Sequence, residues 1–517
     1  MTIKRVILAL LTIFAIAQVG LSLNNSLTQP QIGGRLELYQ TNMVLHVAEF
    51  KTDAQDDFDL NGAVNSLVGE DPYSAARKKY QQVRQQTVVS RDNFESQLQQ
   101  LNNSPEDTVK VTNTKASIAR QKQLQQQISE LNQFINELDL KRGILAGVEG
   151  KTKEAIEIWD SAIERIDNPE NRYAQTATLL KQLWQDKAPE PTSNAIAVIE
   201  KNLDSWFRYQ ALAQYDRVNN LTEDLASLQE QEREIASNSV FKLAIISGLP
   251  FFGFIFGTII LIFLVAQRLI NKDSIVATNS KIGWETPWDW EITWQVLIVG
   301  FFFVTQFVIP LFLGLLGINV QNESLRIKSL YILGTYIAMA IGGVSVLYFS
   351  IRSFLPLPKD WFKFKIVDNW LVWGLGGYLV ALPLVLLVSL INQLIWQGQG
   401  GSNPLLLLAL QAQDKVVLAI FFITSSIAAP VFEEIMFRGF LLPSLTRYVS
   451  VSGAIVISGF IFAIAHLSLS EVLPLATLGM VLGFVYTRSR NLLAPMLVHC
   501  LWNSGTLISL FILGSGV

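Results

Sequence analysis

Two of the chain's three histidines, His466 and His499, lie in strongly apolar stretches near the C-terminus, and Glu433, Glu434 and Arg438 stand just upstream in similar surroundings. Ionisable groups at membrane depth are costly, which marks them as functional candidates. Glu434 and Arg438 are four residues apart, so on a helix they share a face and can form a salt bridge that keeps the glutamate ionised. Glu433 then points about 100° away and is free for other work. A plain structural reading competes: Pro430 would open a helix, and acids in its first turn would suit the dipole.

Phe462 and His466 are four apart, as are His499 and Asn503, so each pair shares a helix face. A lone histidine on an apolar helix is usually a packed residue bonded to a carbonyl, but two out of three weigh against that. His46 lies in a polar region and reads as structural. Two chemistries fit the set. In one, Glu433 is a general base that deprotonates water with help from His466, while His499 and Asn503 donate hydrogen bonds to a developing oxyanion. In the other, Glu433, His466 and His499 bind a zinc ion that acidifies the water. The sequence has no HExxH pairing, which lowers the zinc reading, so no cofactor is favoured and zinc stays as the alternative. Cys500, the only cysteine, follows His499 directly and points elsewhere on the helix, so it makes a poor nucleophile for that histidine. A single cysteine also excludes an intrachain disulfide and a CxxC motif.

The elements that position these residues are expected to be membrane helices. Half of the 517 residues are hydrophobic and 16% are charged, below the soluble norm of about a quarter, and the deficit lies in the second half. Lys4 and Arg5 precede an apolar run from Val6 to about Leu23, which reads as a signal anchor or signal peptide over 1–23. Ala15-Ile16-Ala17 resembles a cleavage site, yet the apolar run continues past it and favours the anchor.

Residues 24–239 are polar, with apolar residues three and four apart, and predict a soluble helical domain. Tyr73 to Leu140 has few breakers and suggests a coiled-coil hairpin. Leu145, Ala146, Gly147, Gly150, Ala155, Ile156, Trp159 and Ala162 resemble half of a tetratricopeptide unit, but one unit is weak evidence and an ordinary helical hairpin with a small-residue contact is the preferred reading. A break is expected at Pro189-Glu190-Pro191-Thr192. From Val240 long apolar runs follow, near 240–267, 292–318, 329–350, 369–396, 415–430, 452–467, 472–487 and 492–513. The three beginning at 415, 452 and 472 are short for a hydrocarbon core of about 30 Å. The chain thus divides into additional transmembrane helices over 240–413 and a membrane core over 414–517, an all-α polytopic architecture with an N-terminal soluble helical domain.

Arg268 with Lys272, Arg352 with Lys359, Lys363 and Lys365, Arg438 with Arg447, and Arg488 with Arg490 fall in alternate loops. Positive residues favour the cytoplasmic side, so 24–239 is expected outside it. A net charge of −3 and the lack of a basic run argue against nucleic acid as a partner. No repeat between halves is visible, which counts against a transporter.

The ordered set Glu433-Glu434-xxx-Arg438, Phe462-xxx-His466 and His499-xxx-Asn503 resembles the EExxxR, FxxxH and HxxxN motifs of the CAAX prenyl protease 2 type, also called the CPBP or Abi family of intramembrane proteases. The resemblance covers about Asp414 to Thr506. It implies a helical membrane core with a site between helices, where Glu433 activates water with His466, Glu434 and Arg438 support the site, and His499 with Asn503 forms the oxyanion hole. It also implies a membrane-associated protein or peptide substrate and contact with membrane lipid, in a bacterial cytoplasmic or cyanobacterial membrane. Bacterial relatives include immunity and scaffold-like proteins, so a non-proteolytic scaffold is the alternative function. Residues 24–239 stand outside the resemblance and are expected to recruit a protein partner or to oligomerise. Counting along straight helices, His466 would lie about 21 Å deep and His499 about 10 Å, which disagree for one shared cavity.

Overall fold

The structure is a computed structural model that describes residues 2–27, 29, 31–49, 69–103, 114–166, 168–185, 193–271, 274–318, 320, 323–412 and 414–514. The expected break at Pro189–Thr192 and the cation Lys272 lie outside these. Among the described residues the fold is all helix, without a strand. It separates into two compact units, one from residues 1–27 and 249–511, the other from 28–248 and 512–517.

The chain opens with α1 (Ile3–Ser26), which belongs to the first unit. The second unit follows with α2 (Gly33–Ala48), α3 (Pro72–Asn102), α4 (Thr114–Val148), α5 (Thr152–Glu164), α6 (Arg172–Trp184), α7 (Ser193–Asn202), α8 (Ser205–Val218) and the first half of α9 (Thr222–Ile270). Helices α3 and α4 pack along each other as an antiparallel pair through Phe94, Leu124 and Leu131. Successive short helices then stack on α4. The stack depends on glycine: a methyl at Gly143 would sit 2.2 Å from Trp159 Nε1, and one at Gly147 2.1 Å from Trp184 Nε1. Those two buried indoles pack at 5.5 Å between centroids. Asp139 binds Arg84 at 2.5 Å, Arg142 at 2.7 Å and Arg165, tying α3, α4 and the end of α5 together.

In the first unit the apolar second half of α9 is followed by α10 (Trp290–Leu315), α11 (Leu325–Phe354), α12 (Trp370–Trp396), α13 (Pro404–Gln411), α14 (Lys415–Leu445), α15 (Val451–Ile464), α16 (Leu469–Ser489) and α17 (Leu493–Gly514). Eight of these helices, α1, α9 to α12, α14, α16 and α17, are long and apolar enough to cross a bilayer. This is an integral membrane protein. Helix α15, with 14 residues, is about 21 Å long and falls short of a full crossing. Helix α1 is packed into the unit: Leu8 and Ala15 bury against Ile298, Trp294 Nε1 donates to Thr12 at 2.9 Å, and Lys4 and Arg5 reach Glu291 at 3.1 and 2.8 Å.

The segment around Glu433 departs from the sequence expectation. Lys415–Leu445 runs as one 31-residue helical stretch, so Pro430 lies inside it and the two glutamates sit mid-helix, not in a capping first turn. Wide π turns at Ile423–Ala428 and Ile435–Leu441 flank them. Proline removes one backbone donor and crowds the preceding turn, and i to i+5 winding is a known way for a helix to continue past such a defect. The far end of α14 is clamped by loop aromatics. Trp288 donates to Ser444 at 3.0 Å and stacks on Phe440, Trp284 stacks on Tyr486 at 5.2 Å, and the Arg490 guanidinium covers Trp284 at 3.5 Å.

Replacing Gly147 with alanine should destabilise the second unit by about 1–3 kcal/mol, because the Trp184 ring has nowhere to move in a filled core. Gly248→Ala, whose methyl meets nothing within 4 Å, should cost nothing comparable. Thermal midpoints of the full-length protein, with protease sensitivity of residues 28–248 as the readout, check the pair.

Candidate active site

Four helices build the candidate site: α14 brings Glu433, Glu434 and Arg438, α11 brings Tyr336, α15 brings Phe462 with His466 in the turn that follows it, and α17 brings His499 and Asn503. Glu434 and Arg438 have no exposed surface, and their ion pair is formed at 2.9 Å. The same Glu434 Oε1 accepts from His499 Nδ1 at 2.9 Å. Arg438 Nη2 donates to the Gly479 carbonyl at 2.9 Å, and its guanidinium lies 4.4 Å over the Phe462 ring. Two glycines allow that reach. A methyl on Gly479 would come within 2.9 Å of Gly459 Cα, so α15 and α16 cross backbone to backbone there.

Glu433 keeps 16% of its side-chain surface exposed. Its Oε1 accepts from the Tyr336 hydroxyl at 3.2 Å. Its Oε2 is buried without a protein hydrogen-bond partner and lies 3.8 Å from His499 Nε2. With His499 Nδ1 donating to a carboxylate, Nε2 is an acceptor whenever the ring is uncharged. Two acceptors at this separation can each take one hydrogen of a single water molecule, whose lone pairs then face away from both.

His466 sits in the turn just beyond the end of α15, half-buried, with Nδ1 donating to the Phe462 carbonyl at 2.9 Å. The Phe462 ring touches both histidines, at 4.9 Å from His466 and 5.6 Å from His499. Both therefore meet one ring, and the mismatch in depth disappears. Straight-helix counting failed because α15 is short and does not begin where α17 does. Asn503 donates from Nδ2 to the Ser425 carbonyl in the first π turn of α14 at 2.7 Å, which leaves a second N–H on the same nitrogen.

The sequence set Glu433 beside His466, whereas the imidazole that the structure turns toward Glu433 is that of His499. Tyr336 went unnoticed, although a tyrosine with a polar tip inside an apolar span was a usable signal. Among the described residues no three His, Cys, Asp or Glu side chains are grouped as a metal ion would need.

Comparison with known proteins agrees with the location of this cluster. Residues 415–505 match the family described as Type II CAAX prenyl endopeptidase Rce1-like. This part of the chain is an Rce1-like domain. It runs from the start of α14 into α17 and holds every site residue above except Tyr336. The chain is similar to YdiL of Bacillus subtilis, named as a membrane peptidase, with 28% identity over 138 residues, which are 27% of this chain and 55% of YdiL. It is also similar to the membrane-embedded CAAX protease MroQ of Staphylococcus aureus, with 22% identity over 222 residues, 42% of this chain and 88% of MroQ. The chain thus spans about half the length of YdiL and most of MroQ. No solved structure matches.

A buried ion pair that loses one partner leaves an uncompensated charge, which costs about 3–5 kcal/mol. Arg438→Leu or Glu434→Leu alone should therefore destabilise the detergent-solubilised protein strongly, and the double replacement should cost less than the sum of the two. Thermal unfolding of the three variants gives the coupling; strict additivity would mean the pair is not a unit.

Proposed function

We propose that this protein is an intramembrane endopeptidase that hydrolyses a peptide bond of a membrane-associated protein or peptide through a water activated by Glu433. The observation that carries this reading is Glu433 Oε2, a buried carboxylate oxygen without a protein partner, 3.8 Å from an imidazole nitrogen whose ring is oriented by a second carboxylate. In this reading Glu433 takes the proton of the water and later passes it to the leaving amine. His499 Nε2 holds the same water, and Glu434 with Arg438 fixes the tautomer and tilt of His499. The second N–H of Asn503 donates to the oxyanion. The Nε2 of His466 supports the activated water from the Phe462 side. No step runs through a metal. The match to a CAAX endopeptidase domain supports peptidase chemistry; which peptide is cut is a separate matter, and a prenylated C-terminus is one substrate class to try.

The membrane frame supports a site open to the side where the cations gather. Lys4 and Arg5 pair with Glu291 at the start of α10, so α1 and α10 begin on one face. By the positive-inside rule that face is cytoplasmic, in the cytoplasmic membrane of a bacterium. The helices of residues 24–239 are then a soluble domain outside it, placed to bind a protein partner.

Glu433→Gln keeps the shape and removes the base, so cleavage should fall by about 10²–10⁴-fold with the thermal midpoint little changed. Comparing membrane peptides of cells that carry wild type or Glu433→Gln, by mass spectrometry of their termini, reads this directly. Identical termini in both would favour the scaffold alternative, in which the motif residues serve only a buried polar network. Prolonged chelation of the purified protein should leave the cleavage rate unchanged; loss of activity that zinc restores would overturn the water-and-glutamate route.

A further inference from the structure

The second unit carries a separate set of reactive groups that the membrane site does not use. His46 on α2, Ser205 at the first position of α8 and Glu232 on α9 converge from distant points of the chain. His46 Nδ1 lies 2.5 Å from Glu232 Oε1, and His46 Nε2 lies 2.8 Å from Ser205 Oγ. His46 and Glu232 are each 2% exposed, while Ser205 is half-buried. The order is hydroxyl, imidazole, carboxylate, joined through opposite nitrogens of the ring. A carboxylate can only accept, so it holds the proton on Nδ1 and leaves Nε2 as the acceptor for the serine hydroxyl. That is the arrangement a serine needs to become a nucleophile.

The backbone supplies the other half of such a site. Ser205 has φ of +52°, an uncommon conformation for a residue with a Cβ, which turns the chain sharply from Leu203 and Asp204 into α8. The first helical donor of α8 is the Arg208 N–H, bonded to the Asp204 carbonyl. The N–H groups of Ser205, Trp206 and Phe207 precede it and have no partner within the helix. The Asp204 carboxylate does not cap them, and reaches Lys141 at 2.8 Å. Hydroxyl nucleophile and free donors thus meet at one helix start, where the developing negative charge of an acyl-transfer step is stabilised.

We propose that Ser205, His46 and Glu232 form a second hydrolytic site, an esterase-type serine triad acting on carboxylic esters, independent of the peptidase site. Ser205 Oγ bonds to the ester carbonyl carbon as its proton passes to His46 Nε2. The ester C–O bond then breaks, and the alcohol leaves with that proton. Water, deprotonated by the same nitrogen, attacks the acyl-serine and releases the carboxylic acid, and the proton returns to Ser205 Oγ. Esters suit the site better than amides because an alcohol oxygen is a much better leaving group than an amine nitrogen, so less assistance from the imidazole is needed.

The test uses the full-length protein in detergent micelles with a fluorophosphonate probe, which phosphonylates activated serines. Peptide mass spectrometry should place an adduct on Ser205, and Ser205→Ala should lose it with an unchanged thermal midpoint. His46→Gln should slow labelling about a hundredfold. Glu232→Gln, which keeps the shape of the network, should also slow it more than about tenfold. Hydrolysis of p-nitrophenyl butyrate should follow the same order. Folded wild type without an adduct on Ser205, or folded His46→Gln labelled as fast as wild type, overturns the proposal and leaves the cluster as a tie between three helices.

Discussion

The Glu434–Arg438 ion pair is the interaction on which the arrangement of the membrane unit turns. Two charges without exposed surface are costly to bury, and their attraction offsets that cost only with good geometry and further hydrogen bonds. Each further bond recruits another helix. The Gly479 carbonyl brings α16 to Arg438, and His499 Nδ1 brings α17 to Glu434. The Phe462 ring beneath the guanidinium brings α15. The polar group that holds four helices together is therefore the same one that orients the imidazole facing Glu433.

This coupling explains the flanking features. Arg438 can reach a backbone carbonyl because Gly459 and Gly479 let two helices touch. The π turns on both sides of Glu433 and Glu434 keep α14 helical past Pro430, and its first π turn presents the Ser425 carbonyl to Asn503. Aromatic clamping of the far end of α14 by Trp284 and Trp288 fixes its register against the loops. Glu433 keeps a carboxylate oxygen that the protein does not occupy and, unlike Glu434 and Arg438, some exposed surface. A buried ion pair that orients the imidazole, beside a partly exposed carboxylate, is the division of labour expected of a hydrolytic site.

Much of this was legible in the residues. The family resemblance came from three short motifs in order, while i to i+4 spacing showed only that each pair shares a helix face. The spans came from hydropathy, although α14 and α16 proved longer and Pro430 interior, since neighbouring helices and π turns let a chain continue where proline alone predicts a start. Partnership was harder to read. Nothing in the spacing of His466 and His499 says which one faces Glu433, and Tyr336 lies 97 residues away from its partner. The same holds for His46, which sequence alone marked as structural and which stands between Ser205 and Glu232.

The sequence by itself determined an all-helical chain, the existence and approximate places of its membrane helices, and the family of its C-terminal domain. The helices and their places depend on composition and on periodicity within single helices, which are local properties, whereas the family came from the resemblance of three ordered motifs. Tertiary structure alone decided that both histidines meet one phenylalanine ring, that His499 bridges the two glutamates and that a serine, a histidine and a glutamate align in the other unit. These depend on how far each helix is shifted and tilted against its neighbours, and a shift of one residue moves a side chain by about 1.5 Å along the axis and about 100° around it, enough to exchange one hydrogen-bond partner for another.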